Sequence, residues 1–204
     1  IQQAFIWDIF DAIESGTYTM TDSEYQRTID GLEGTQDYVG INYYGRFYVQ
    51  MDADALDKGP VTHTRDPRDA EELASDLDWA LYPIGFSRIL EEAWTRYGKP
   101  IQILENGIAD AANPDTLRQT FLTSHLREVW HAMNIRGVDI DGYFHWSHLD
   151  NLEWAEGFGP RFGLYAVDYD NDFARTPRGS ADVYADIIKE GLSEALWEQT
   201  KGPF

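Results

Sequence analysis

The feature that most constrains this chain is an alternation. Apolar, β-branched runs recur between segments with helical spacing, in the order helix, strand, helix, strand, helix, strand, helix. The middle run, "KPIQILEN" (99–106), is continuously apolar up to Glu105, the pattern of a strand buried on both faces of a parallel sheet. On either side of it lie "DYVGINYYGRFYV" (37–49) and "VDIDGYFHW" (138–146). Strands alternating with helices predict parallel strands joined by helical crossovers.

The helices follow from spacing and punctuation. Phe5, Ile9, Phe10 and Ile13 recur at helical intervals before Gly16. Phe86, Ile89, Leu90, Ala93, Trp94 and Tyr97 share one face of a helix from about Ile84 that ends at Gly98. Asn113 as cap and Pro114 in the first turn predict the start of the next; its stripe is Leu117, Phe121, Leu126, Val129, Trp130 and Met133, and Gly137 closes it. Ser180 is expected to cap a last helix carrying Val183, Ile187, Ile188, Leu192 and Leu196, after a hairpin arm at "GLYAVDYD". The stretch 51–72, rich in Asp with Gly and Pro, reads as a surface connection. No repeat or linker divides the chain, so residues 1–204 are read as a single domain.

The formal net charge is −20. Phosphate binding requires a basic patch, so nucleic acid and anionic membranes are disfavoured as partners. The acidity suits a solvated surface, with salt tolerance as one setting for it. The chain has no Cys, which removes disulfides and thiolate chemistry. No apolar run approaches the roughly 20 residues of a membrane-spanning helix, and no export signal is evident, so a cytoplasmic location is the expectation.

The residues able to do chemistry follow the carboxyl ends of the predicted strands: Asn42 and Tyr44, then Glu105, then Trp146 to Trp154. Barrels and open α/β sheets both put their sites there. Residue type leaves two readings of Glu105. It is a capping or salt-bridging carboxylate, or it is a nucleophile held ionised and oriented by a donor such as Tyr44. "WSHLDNLEW" (146–154) also reads two ways, as an aromatic core corner or as a sugar platform. Sugars offer apolar C–H faces and rings of hydroxyls, which indoles beside a carboxylate satisfy. His145 and His148 lack an evident third ligand for a metal. "DADALDKG" (52–59) and "DYDNDF" (168–173) lack the Gly and Glu of a calcium loop. No metal or cofactor is expected.

Together "DYVGINYY", "ILENG" and "GYFHWSHLDNLEWAEGFGPRFGLYAVDY" resemble glycoside hydrolase family 1, the β-glucosidase and β-galactosidase family, in motif order and spacing across most of the chain. The resemblance implies an α/β fold, the (β/α)₈ TIM barrel, and hydrolysis of small β-glycosides with retention through a glycosyl-enzyme. Carried over, Glu105 is the nucleophile, with Asn42 and Tyr44 as the Asn-x-Tyr pair beside it. Trp146 is the platform under the sugar, Glu153 and Trp154 hold outer hydroxyls, Phe162 closes that subsite, and Trp79 lies on the aglycone side. Leu104 stands where the family usually has Thr, and His148 where Leu is usual.

Retaining glycosidases use a second carboxyl about 5–5.5 Å from the nucleophile as acid/base. The family's Asn-Glu-Pro motif, which carries it, does not occur in these 204 residues. The expectation is therefore the C-terminal portion of a barrel, strands six to eight with their helices, incomplete on its own. An N-terminal barrel portion, or self-association, would cover its open sheet edges. The alternative is a non-catalytic sugar-binding or self-associating module.

Overall fold

A computed structural model describes residues 2–51, 61–63 and 66–199. A π-helical turn, Gln3–Trp7, leads into α1 (Asp8–Ser15). Two short antiparallel strands follow, β1 (Thr17–Thr19) and β2 (Gln26–Thr28), and then β3 (Val39–Tyr43). A second antiparallel pair joins β4 (Val49–Met51) to β5 (Val61–His63). Then come α2 (Pro83–Tyr97), β6 (Ile101–Asn106), α3 (Thr116–Asn134) and β7 (Ile140–His145). A hairpin of β8 (Tyr165–Asp168) and β9 (Ala174–Pro177) precedes α4 (Gly179–Glu190) and α5 (Glu194–Gln199).

The three predicted strands form one parallel sheet in the order β3-β6-β7. Each crossover contains a helix, as parallel pairing requires. Val39, Ile41, Ile101 and Ile103 of the sheet are buried with Phe86, Leu90 and Ala93 of α2 and Val129 and Ala132 of α3. The opposite face is open. Leu104 is 39% and Phe144 58% exposed there, and Asn42 is also exposed.

Several boundaries differ from the sequence reading. Phe5 and Ile9 point outward, because Trp7 and Phe10 take the inner positions against Tyr97, with ring centroids 6.1 and 5.8 Å away. Asp115, rather than Asn113, precedes the first turn of α3. Met133 is exposed, whereas polar residues on α3 are buried. Arg118 is enclosed because it donates to Asp115 (3.0 Å) and to the Asp110 and Arg161 carbonyls. Arg127 donates to Glu128 (2.7 Å), which also accepts from Ser87 (2.7 Å). Polar side chains with hydrogen-bond partners of this kind can be buried, which a hydrophobic stripe cannot register.

The last helix is two helices, interrupted at Gly191, and α4 starts at Gly179 with Arg178 in the cap position. Of the stretch 51–72, residues 52–60 and 64–65 lie outside the described residues, including "DADALDKG". No helix among the described residues is long and apolar enough to cross a membrane.

Candidate active site

The site is built on a break in strand periodicity. Ile101 and Ile103 point into the helix-packed core, so strict alternation would bury Glu105 there too. The register slips instead. Ile41 pairs with Ile103, but the next residue, Asn42, pairs with Glu105, leaving Leu104 as the extra residue of a bulge. Bulges re-aim side chains beside active sites, and here Glu105 leaves the core side and reaches Tyr44. The Tyr44 hydroxyl donates to Glu105 Oε2 at 2.5 Å. Burial, this hydrogen bond and the charges of Glu105 and Glu153 push the Tyr44 phenol well up. It therefore stays a protonated donor.

Beyond Glu105 the backbone is fixed by two neighbours. Asn106 is fully buried, donating to the Tyr43 carbonyl (2.7 Å) and accepting from the Tyr143 hydroxyl (2.8 Å). Gly107 lies against the Trp146 carbonyl, where an added Cβ would be 1.7 Å from that oxygen. Only glycine permits this approach. The Trp146 N–H donates to the Asn106 carbonyl at 3.0 Å, so the ends of β6 and β7 are tied together.

Trp146 is half-buried and precedes the loop that carries Glu153. Burial, and then the like charge of Glu105, push the Glu153 carboxyl up, with the Trp146 side chain opposing them. The two carboxylates thus share a field at the strand ends. Phe162 is buried, 6.0 Å from the Tyr44 ring and 6.1 Å from Trp79. Trp79 and Tyr44 meet edge to face at 5.5 Å. The segment bearing Trp79 is held over the site because the Asp76 N–H donates to the Ala109 carbonyl (3.0 Å) and the Ala111 N–H to Asp76 (2.7 Å).

Glu105, Tyr44, Trp146, Glu153, Phe162 and Trp79 are thus brought together. Asn42 stands beside Glu105 in the register, with its side chain exposed. Trp154, next to Glu153 in the chain, is 89% exposed at a positive φ of 42°. His145 lies 5.9 Å from the Tyr184 ring and His148 5.1 Å from that of Tyr165. Among the described residues, no group of three or more His, Cys, Asp or Glu is placed to hold a metal ion.

Asp150 escapes a reading by residue type, since nothing local separates it from its acidic neighbours. It is buried and accepts from Arg178 Nη1 and Nη2 (both 2.9 Å) and from the Gly163 (2.9 Å) and Val167 (3.1 Å) N–H groups. Burial alone would raise its carboxyl, but the Arg178 bond and these backbone donors outweigh that and hold it low. It closes the loop that carries Trp146, Glu153 and Phe162. The sequence traces of this link are two arginines, Arg178 28 residues away and Arg161, which ion-pairs with Asp150 at 3.4 Å, 11 residues away.

Three parallel strands with helical crossovers, and a carboxylate site at their carboxyl ends, define part of a (β/α)₈ barrel enzyme fold. The Glycosyl hydrolase family 1 model matches residues 6–192, and the chain belongs to that family. It is 39% identical to a Beta-galactosidase of Sulfolobus acidocaldarius over 202 residues, covering 97% of this chain and 40% of the relative. It is 40% identical to a Beta-galactosidase of Saccharolobus solfataricus over 190 residues, covering 91% and 37%. The solved beta-glycosidase from Pyrococcus horikoshii superposes with a TM-score of 0.81 at 36% identity, covering 98% of this chain and 45% of that one. The chain therefore spans about 40% of the length of the curated relatives it matches.

Proposed function

We propose that the chain supplies the nucleophile and part of the sugar subsite of a retaining β-glycosidase of β-glucosidase or β-galactosidase type. The observation that carries this reading is the Tyr44–Glu105 hydrogen bond of 2.5 Å at the carboxyl ends of parallel strands. A donor on one oxygen orients the carboxylate and leaves the other free to attack the anomeric carbon of a small β-glycoside. Trp146 offers an apolar plane to the sugar. Glu153 and Trp154 offer hydrogen-bonding groups to its outer hydroxyls, Phe162 closes the subsite, and Trp79 borders the aglycone. The leaving oxygen needs a proton, and that general acid contributes about 10²–10⁴-fold. In this reading it comes from outside these 204 residues.

The partner follows from the same sheet. Its inner face leaves Leu104 and Phe144 exposed, and β3 and β7 each have an open edge among the described residues. These features favour cover by the remaining strands of a barrel, or by a second copy if the chain acts as a sugar-binding module. A 2-fluoro glycoside with a good leaving group tests the function, because it traps the glycosyl-enzyme. Intact-mass analysis is expected to find one sugar adduct, mapped to Glu105, absent in Glu105→Gln. Unchanged labelling of that variant removes Glu105 from the nucleophile role, and binding without labelling of the native protein favours the module.

A further inference from the structure

The aromatic wall around Glu105 continues beyond Phe162, Tyr44 and Trp79. From Phe162 it runs through Tyr44 and Trp79 to Phe47, whose ring centroid is 5.9 Å from that of Trp79 at an interplanar angle of 74°. Phe47 is 55% exposed, and Trp79 is half-buried. Two ring planes near a right angle, both open to solvent, make a corner. A flat group stacked on one ring abuts the other, an arrangement aromatic groups favour.

This corner is held by a clasp. Gly45 passes so close to the next segment that an added Cβ would lie 2.1 Å from the Ala80 carbonyl oxygen. Arg46 makes a β-bridge with Ala80 and ion-pairs with Glu72 at 2.5 Å, and Glu72 also accepts from the Tyr48 hydroxyl. The Arg46 guanidinium lies 3.9 Å from the Tyr82 ring centroid and 5.0 Å from that of Tyr48. Residues 45 to 48 are therefore pinned to the segment that presents Trp79, and Phe47 is held beside it at the outer end of the wall.

The geometry points to Phe47 as a specificity-determining residue: with Trp79 it forms a corner that selects β-glycosides whose leaving group is a planar aromatic ring. This rests on the glycosidase reading above. Trp79 alone would accept many apolar aglycones along one face. Phe47 adds a second wall that only a flat ring can meet while stacked on the first. Because Phe47 touches the wall one ring farther from Glu105 than Trp79 does, it acts on the aglycone and leaves the sugar contacts alone.

The test uses the full-length protein with non-hydrolysable ligands, phenyl and methyl 1-thio-β-D-glucoside and the corresponding galactosides, titrated by calorimetry. In native protein the phenyl ligand of the preferred sugar binds more tightly than the methyl one. Phe47→Ala is expected to reduce that preference about 3- to 10-fold, the worth of one aromatic pair, with methyl affinity unchanged. Phe47→Tyr retains the preference and Phe47→Leu loses most of it, while circular-dichroism melting stays at the native value for each. A phenyl preference unchanged in Phe47→Ala and Phe47→Leu overturns the assignment of Phe47 and leaves the sugar pocket standing. Failure of every ligand to bind native protein overturns the glycosidase reading and this inference with it.

Discussion

Replacing Asp150 with Ala tests whether one buried carboxylate holds the loop of the site. Four close donors converge on it: two nitrogens of Arg178 and the backbone N–H groups of Gly163 and Val167, all within 3.1 Å. Truncation leaves the Arg178 side chain, 12% exposed, without its carboxylate partner, and leaves two backbone donors unpaired. Breaking a buried pair by removing one member costs about 3–5 kcal/mol. That is a large part of the roughly 5–15 kcal/mol that keeps a protein folded. Asp150→Asn keeps the shape but loses the charge and turns an N–H toward other donors, for about 1.5–3 kcal/mol. The assay is urea unfolding followed by tryptophan fluorescence. With a slope of about 2 kcal/mol/M, Asp150→Ala lowers the midpoint by about 1.5–2.5 M. Arg178→Ala is expected to cost a similar amount, and the double variant clearly less than the sum.

The sign with pH is fixed. The folded carboxyl is held below its ordinary value of about 3.9, so its contribution is fully present above roughly pH 4. It is lost as pH falls through the lower folded value. The stability gap between native protein and Asp150→Asn therefore persists at pH 7 and shrinks in strong acid. A cost below about 1 kcal/mol for Asp150→Ala, or simple additivity with Arg178→Ala, refutes the reasoning.

Two further outcomes follow from the site. Gly107→Ala forces a methyl group to within 1.7 Å of the Trp146 carbonyl; the overpacking costs about 1–3 kcal/mol and lowers the melting temperature by about 2–12 °C, with 2-fluoro glycoside labelling of Glu105 lost. The Glu153 carboxyl is raised, so the ionised acceptor is lost on acidification at pH values above the ordinary glutamate range of about 4.3. Calorimetric sugar affinity is expected to weaken there, and Glu153→Gln to bind weakly without that acid limb.

The alternation of elements was legible because continuous apolar runs and helical stripes are local patterns, and the parallel sheet of β3, β6 and β7 has the predicted strands. The family was legible for the same reason: its motifs are short and contiguous, and the family model covers residues 6–192. Fine boundaries were less so. A cap at Asn113 is indistinguishable by residue type from one at Asp115. Trp154 sits among the same motif residues as Trp146 but stands 89% exposed, a difference no residue type announces.

Sequence by itself determined the main alternation of helices and three parallel strands, and that a carboxylate lies at the carboxyl end of the middle strand, because each is encoded within a few neighbouring residues. Tertiary structure decided where that carboxylate points. A bulge at Leu104 turns Glu105 out of the packed face toward Tyr44, 61 residues away in the chain, and register is settled between strands equally remote in sequence. It also decided that Asp150 is enclosed while its acidic neighbours are not, because Arg178 and two backbone donors meet it only after folding. A buried charge is defined by its partners, and those partners lie beyond the reach of any local pattern.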